Sequence, residues 1–555
     1  MPAARPPGYR RFGLAALALA STLALGGWWL AGRPVALPDV PGGKFQCVSY
    51  APYRDDETPF DPEFVVPPAR IEADLKALSS EVQCVRIYAT DQGLDMVVPI
   101  AQRLGLKVIL GAWIGRDPAN NAMQVSSAIA FANAYPDTVK ALVVGNEVLL
   151  RGEMPPDQLA DLIRRVRAET KAVVTYADVW EFWLSYPEVT RAVDLMIIHI
   201  LPYWEDDPVG IEGAMKHAQE IMTRVKSAFP DKTVMIGETG WPSAGRMREG
   251  ALPGRVNQTR YMRDFAVLAQ REGWAYNLVE AFDQPWKRAL EGTVGGAWGL
   301  YAGDRTAKVT ATGPVSDMPD WRLEAGLALV LGAGIVLWPI LRGARLTPAR
   351  WLAVAAAAEI VAAAAVRHLW YAGVTSRTLA EWAASLGRVG LTVATGLLFV
   401  AWLAGRCEAP MRHSARRILA WLRRPGAETP GPPDLGSALA LLTALWIAWT
   451  LLTLIFDPRY RDFPTSGFVV PALVFALFAG LRRDPPVPGE ERREEAALAL
   501  LLFAGGLVLA LKETLLNTQA LAFVAVCWLA AVAPALSWRR ARLVGAPASP
   551  KATVS

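Results

Sequence analysis

The apolar residues of this chain are segregated, and that segregation limits what it can fold into more than any other feature. Residues 11–31 and 323–538 hold long apolar runs with few charges, whereas residues 40–320 read as an ordinary soluble segment. A helix needs about 20 predominantly apolar residues to cross a hydrocarbon core about 30 Å thick. A purely cytosolic enzyme is excluded on this pattern. The 45 glycines and 41 prolines among 555 residues follow no period, which excludes collagen-like and disordered chains as well.

The basic flank MPAARPPGYRR precedes FGLAALALASTLALGGWWLAG, whose Trp28 and Trp29 resemble an interfacial anchor. An uncleaved transmembrane anchor is expected, with a cleaved signal peptide as the rival reading. Seven further spans are expected near 323–341, 351–370, 387–404, 436–456, 464–481, 495–511 and 516–537. The organisation expected is therefore 1–39 as cytoplasmic N-terminus and anchor, 40–320 as an extracytoplasmic domain, and 321–555 as a transmembrane domain with a cytoplasmic tail.

The sidedness comes from charge. Loops 342–350, 405–435 and 482–494 and the tail from 539 carry sixteen arginines, against Arg367, Arg377, Arg388, Arg459, Arg461 and Lys512 on the other side. Positive residues accumulate on the cytoplasmic face. This also explains the net charge of +5 without nucleic acid, which is not expected as a partner; the lipid bilayer is. Glu359 interrupts the apolar run WLAVAAAAEIVAAAAV, where an ionisable group suggests a role in function or in packing. Four cysteines are too few for a disulfide scaffold. Cys47 and Cys84 open two neighbouring strands, and either a disulfide or two buried thiols suits them.

Between 44 and 287, β-branched runs alternate with helical stretches. The strand candidates are 45–51, 84–89, 107–113, 140–148, 172–180, 194–204, 233–241 and 277–286. Near-continuous apolar strands separated by helices indicate a parallel sheet. Eight such units in this length suit an α/β fold of the (β/α)8 barrel type, followed by the all-α multi-span membrane domain. A doubly wound open sheet is the alternative, but no GxGxxG follows the first strand.

Barrel chemistry sits at the C-terminal ends of the strands. Those ends supply Glu147 after strand four, with Asn146 beside it, and Glu238 after strand seven. They also supply Tyr50, Tyr88, Tyr176 and Tyr203, and Trp113, Trp180, Trp204, Trp241 and Trp286. Aromatic faces at a barrel mouth suit stacking on sugars, although some must pack under the loops. Two carboxylates facing each other are the minimal set for glycoside cleavage: one, with its pKa raised, protonates the leaving oxygen and the other attacks the anomeric carbon. A salt bridge or helix cap is the plainer reading of either glutamate alone.

VVGNEV (143–148) together with GETGWPS (237–243) resembles the two active-site signatures of glycoside hydrolase family 17, the β-1,3-glucanase family. RIYA (86–89), LPYW (201–204) and AWGLY (297–301) resemble further motifs of the family, so the likeness covers about 44–302. The resemblance implies Glu147 as acid/base, Glu238 as nucleophile, Asn146 on the sugar 2-hydroxyl, and Tyr88 and Tyr203 in the cleft. Asp283, Gln284 and Lys287 in EAFDQPWK stand where plant members carry a Glu and a Lys, with Trp286 between them. The membrane half looks like that of bacterial membrane-bound members, which are associated with synthesis or remodelling of β-1,3/1,6-glucans. It implies a periplasm-facing enzyme in the inner membrane, a β-glucan substrate, and a glucan synthase as candidate partner.

Three functions compete. The first is a retaining β-glucan enzyme, acting as transglycosylase or as glucanase. The second, a nucleotide-sugar glycosyltransferase, lacks a DxD site and a QxxRW motif on the cytoplasmic side. The third is a non-catalytic glucan-binding or export component, which would not require both glutamates. His199, His217, His368 and His413 show no metal-ligand spacing, and His199 reads as a barrel residue with a cleft role as the alternative. No metal or cofactor is implied, since a retaining glycosidase needs none.

Overall fold

The computed structural model describes residues 8–407, 411–424, 432–481 and 492–545. Arg482, Arg483 and the tail beyond 545, which enter the sidedness argument, lie outside the described residues. The chain divides into two compact units, Pro34–Asp317 and Met1–Arg33 with Met318–Ser555.

The first unit is a closed parallel barrel of eight strands, β1 (Phe45–Ser49), β2 (Val82–Ile87), β3 (Lys107–Ala112), β4 (Val139–Asn146), β5 (Val174–Val179), β6 (Met196–His199), β7 (Val234–Thr239) and β8 (Ala275–Leu278). They follow one another around the barrel in chain order, and β8 closes on β1. Helices such as Pro68–Leu78, Pro118–Ala134, Pro156–Glu169, Ala214–Ala228 and Arg255–Glu272 connect the strands. Three of them start with proline in the first turn, where its missing N–H costs nothing. The (β/α)8 expectation holds. The strands are shorter than their apolar runs, so LPYW falls in the loop after β6 and AFDQPW in the loop after β8.

Side chains alternate along a strand, and the barrel interior is built in layers. The lower layer is apolar: Cys47, Cys84, Ile109, Val143, Ala177, Ile197 and Met235 form one buried cluster. Two residues further on, the layer turns polar, with Ser49 and Arg86 at 1% exposure and His199 also at 1%. This polar layer is the floor of the barrel mouth. Cys47 and Cys84 face each other in register across β1 and β2, and a disulfide joins them.

The second unit is helical. Among the described residues, seven helices are long and apolar enough to cross a membrane: Arg10–Ala31, Trp321–Leu341, Pro348–Thr375, Leu379–Leu403, Leu435–Phe456, Arg493–Lys512 and Thr518–Arg542. Eight spans were expected. The run at 464–481 forms the helix Thr465–Leu481 of 17 residues, with Pro471 inside. It adjoins residues 482–491, which lie outside the described residues. Glu359 is 5% exposed, accepts a 2.6 Å hydrogen bond from Ser21, and packs on Gly332, where a Cβ would lie 2.8 Å from its carboxylate. Glu324 pairs with Arg367 at 2.5 Å.

Alkylation tests the cysteine assignment. Denatured but unreduced protein should take up two equivalents of iodoacetamide, on Cys407 and Cys527, and four after reduction; peptide mass spectrometry should find Cys47 linked to Cys84.

Candidate active site

The site is built on the polar layer and the strand ends above it. Arg86 explains most of its geometry. An arginine inside an apolar strand must find acceptors, because an unpaired buried charge is costly. Its Nη1 donates to the Gly237 carbonyl at 2.8 Å and to Glu238 Oε1 at 3.1 Å, and its Nη2 to Asn146 Oδ1 at 2.5 Å. One guanidinium thereby joins β2, β4 and β7.

Local irregularities aim the remaining groups. Ile198 pairs with Ile236 but His199 pairs with Glu238, so Gly237 is an extra residue in β7. Such a bulge re-aims the side chain that follows it. A Cβ on Gly237 would stand 2.0 Å from Ile197 Cγ2, so only glycine fits there. On β4 the register shifts between Val143 and Asn146, and Glu147 has φ +53°. A non-glycine residue in the left-handed region is uncommon, and it turns Glu147 out of the strand direction over the mouth.

Glu238 Oε1 also accepts from the Tyr88 hydroxyl at 2.8 Å, and that hydroxyl lies 2.7 Å from Ser49 Oγ. Asn277 donates to Ser49 Oγ and to the Gly237 carbonyl. Glu147 Oε1 lies 3.0 Å from His199 Nδ1, and His199 Nε2 lies 3.7 Å from Glu238 Oε1. One ligand atom from each of Glu147, His199 and Glu238 falls within 4.8 Å of the other two. Such a trio could ring a cation, but the Arg86 guanidinium already supplies the positive charge beside Glu238.

Burial pushes the Glu147 carboxyl up, but its neighbours, the His199 hydrogen bond first and Arg151 and Arg86 after it, hold the group below its usual range. A raised value was expected for an acid; the imidazole against Oε1 is the reason for the difference. Burial and the neighbouring Glu238 carboxylate hold the Tyr88 hydroxyl far above its ordinary value, so it stays a donor. Burial also pushes Asp178 up to about 6, against the pull of its hydrogen bond from Tyr176.

The other expected residues divide. Asn146 is in the cluster, and its amide nitrogen makes no hydrogen bond among the described residues. Tyr50 is 1% exposed and its hydroxyl turns to Asp74, so it is packing. Tyr176 bonds Asp178 and accepts from the Leu149 N–H, bracing the segment after Glu147. Tyr203, fully buried, donates to the Arg246 carbonyl, and Trp241, also fully buried, donates to the Leu252 carbonyl. Trp180 is 8% exposed under Arg224.

Trp204 is half-buried and stacks on Trp298 with ring centroids 6.3 Å apart, and half-buried Trp113 lies under Arg151. Trp286 packs edge-on against Phe60. Asp283 pairs with Lys308 at 2.6 Å, and Lys287 with Glu280 at 3.0 Å. Burial pushes Glu280 up to about 7, while Lys287 draws it down.

Arg86, Ser49, Asn277 and Glu280 were not singled out from the sequence. The signal for Arg86 was present: a charge in CVRIYA, in the middle of an apolar strand.

Residues 47–299 match the family model described as the BtgE/BtgC glycoside hydrolase domain, within the barrel unit. A glucan 1,3-beta-glucosidase of Arthroderma benhamiae is 29% identical over 274 residues, covering 45% of this chain and 87% of the relative. The glucan 1,3-beta-glucosidase of Saccharomyces cerevisiae is 26% identical over 263 residues, 43% and 83% respectively. Among solved structures, the glycoside hydrolase family 17 beta-1,3-glucanosyltransferase of Rhizomucor miehei is 26% identical, with a TM-score of 0.43 over 48% of this chain and 97% of that one.

Arg86→Met keeps the volume but removes the charge that joins the three strands. Breaking a buried ion pair typically costs about 3–5 kcal/mol. The variant should show a lower denaturant midpoint for tryptophan fluorescence of the detergent-solubilised protein.

Proposed function

We propose that this chain is a membrane-bound, retaining β-1,3-glucan enzyme of the family 17 type, with Glu147 as acid/base and Glu238 as nucleophile. The observation that carries the reading is the approach of the two carboxylates. They close β4 and β7, and oxygens of both fall within the 4.8 Å that also encloses His199 Nε2 or Nδ1. Retaining glycosidases hold their carboxyl groups about 5–5.5 Å apart, whereas inverting ones leave about 6.5–9.5 Å for a water. The match of residues 47–299 to a glycoside hydrolase domain, and the names of the glucan 1,3-beta-glucosidase relatives, support the substrate class.

The geometry suits two steps. Arg86 and Tyr88 both hold Glu238 Oε1, which leaves Oε2 to attack the anomeric carbon. Glu147 gives its proton to the glycosidic oxygen as the C1–O bond breaks, and the bonding pair leaves with that oxygen. Glu238 is then a glycosyl ester. An acceptor hydroxyl attacks C1, its proton passes to Glu147, and Glu238 leaves as carboxylate. Asn146, with its carbonyl oxygen tied to Arg86, turns its amide towards the sugar 2-hydroxyl.

Whether the acceptor is water or sugar decides hydrolysis or transfer. We favour transfer, in β-1,3/1,6-glucan synthesis or remodelling. The half-buried Trp286, which meets Phe60 edge-on, and the outer side of the half-buried Trp113 and Trp204 are the aromatic surfaces proposed to hold a sugar acceptor, and the apolar helices keep the enzyme at a membrane. In this reading the barrel lies on the periplasmic side of the inner membrane and the termini are cytoplasmic, an orientation that the arginine distribution supports. A glucan synthase is the candidate partner of the helical unit.

Purified enzyme incubated with a β-1,3-gluco-oligosaccharide of defined length should yield products longer than the substrate, with new β-1,3 or β-1,6 bonds by NMR. Glu238→Gln should lose activity by about 10⁴-fold or more, the scale of deleting a nucleophile. Shorter products alone would make the enzyme a hydrolase; an inert wild type would favour the binding or export reading. For sidedness, Glu63→Cys should react with an impermeant maleimide in intact spheroplasts and Arg350→Cys only after lysis, in a background with Cys407 and Cys527 replaced by serine.

A further inference from the structure

We propose that His199 is the positioning residue of the acid/base, donating from Nδ1 to Glu147 Oε1 so that the proton carried by Oε2 faces the leaving oxygen. The proposal rests on the retaining reading above and adds a residue to it.

His199 is 1% exposed and ends β6, between the strands that carry the two carboxylates. Its Nδ1 lies 3.0 Å from Glu147 Oε1, while its buried Nε2 has no hydrogen-bond partner. A buried N–H without an acceptor is costly, so the neutral tautomer that satisfies this geometry carries its proton on Nδ1. The distance of 3.7 Å from Nε2 to Glu238 is too long for a hydrogen bond. The imidazole is therefore a fixed donor to one oxygen of one carboxylate. Glu147 Oε2 makes no hydrogen bond among the described residues.

The consequence follows the proton. Glu147 must carry it on Oε2 in the first step, and a donor already seated on Oε1 directs it there. After transfer to the glycosidic oxygen, the same Nδ1–H stabilises the carboxylate left behind, until the acceptor hydroxyl returns a proton to Oε2. His199 keeps its own proton throughout.

The charged and titratable groups facing this pair are Arg86 and Tyr88 at the end of β2, Arg151 after β4, Asp178 on β5, Glu238 on β7 and Glu291 beyond β8. Against this background burial raises the Glu147 carboxyl, and the hydrogen bond from His199 is first among the interactions that bring it down. Removing the imidazole therefore raises that pKa. Because the first step needs Glu147 protonated, activity is lost as pH rises through its pKa, and the basic limb of the profile moves to higher pH.

The test compares His199→Ala with His199→Asn, whose amide nitrogen occupies the place of Nδ1. Two substrates are used: a laminari-oligosaccharide, and 2,4-dinitrophenyl β-laminaribioside, whose leaving group needs no acid. For His199→Ala, kcat/KM on the oligosaccharide should fall by about 10- to 100-fold, less than the roughly 10²- to 10⁴-fold that the acid/base itself supplies. Its basic limb should rise by about one pH unit. The first-turnover burst of dinitrophenolate should stay within about threefold of wild type, and His199→Asn should restore most of the oligosaccharide rate. Equal losses on both substrates in both variants, or an unmoved basic limb, would overturn the proposal and leave His199 as packing. Glu238→Gln separates the two layers: if that variant still releases dinitrophenolate in a burst, the retaining reading itself fails, whatever His199 does.

Discussion

A single buried cation organises the barrel mouth. Arg86 points into the barrel interior, where an unpaired guanidinium would be untenable, and its acceptors come from two other strands: Asn146 at the end of β4, and Gly237 and Glu238 on β7. Satisfying it requires β2, β4 and β7 to stop at compatible heights. The register of the barrel and the geometry of the carboxylates are then one constraint. The glycine at 237 belongs to the same solution, because the guanidinium reaches a backbone carbonyl there and no side chain fits against Ile197.

From that anchor the two glutamates acquire different characters. Glu238 has one oxygen held by a permanent cation and a hydroxyl that burial keeps protonated. Glu147 has one oxygen against an imidazole and stands on a left-handed turn. Chemically identical side chains become distinct through their partners, an imidazole for Glu147 and a guanidinium with a phenol for Glu238. Farther out, Lys287 with Glu280 and Lys308 with Asp283 neutralise the loop after β8, so the carboxylates there are bound in ion pairs and not open to the mouth.

Much of this was legible because it was anomalous. A carboxylate closing an apolar strand, as in VVGNEV and MIGET, has few reasons to exist outside a site, and Glu147, Asn146, Tyr88 and Glu238 do meet in one cluster. The tyrosines and tryptophans at other strand ends were not separable by position. Tyr50 and Trp241 end strands as Tyr88 does, yet their polar atoms turn to Asp74 and to the Leu252 carbonyl inside the fold. Which way a side chain leaves a strand end depends on bulges and loop course, and these carry no periodic signal. His199 looked like a barrel residue because the carboxylate that gives it meaning lies 52 positions away.

The sequence by itself determined the division between a parallel α/β barrel and a set of apolar helices, because hydrophobic periodicity and run length are local properties. It also determined that carboxylates would stand at the mouth, since strand ends can be read from where apolar runs stop. Tertiary structure alone decided that Cys47 and Cys84 are joined, that the run at 464–481 gives a helix of 17 residues, and which oxygen of each glutamate is engaged. Those outcomes depend on register between strands and on contacts up to 152 residues apart, and closure of the barrel brings such groups together only once every strand is in place.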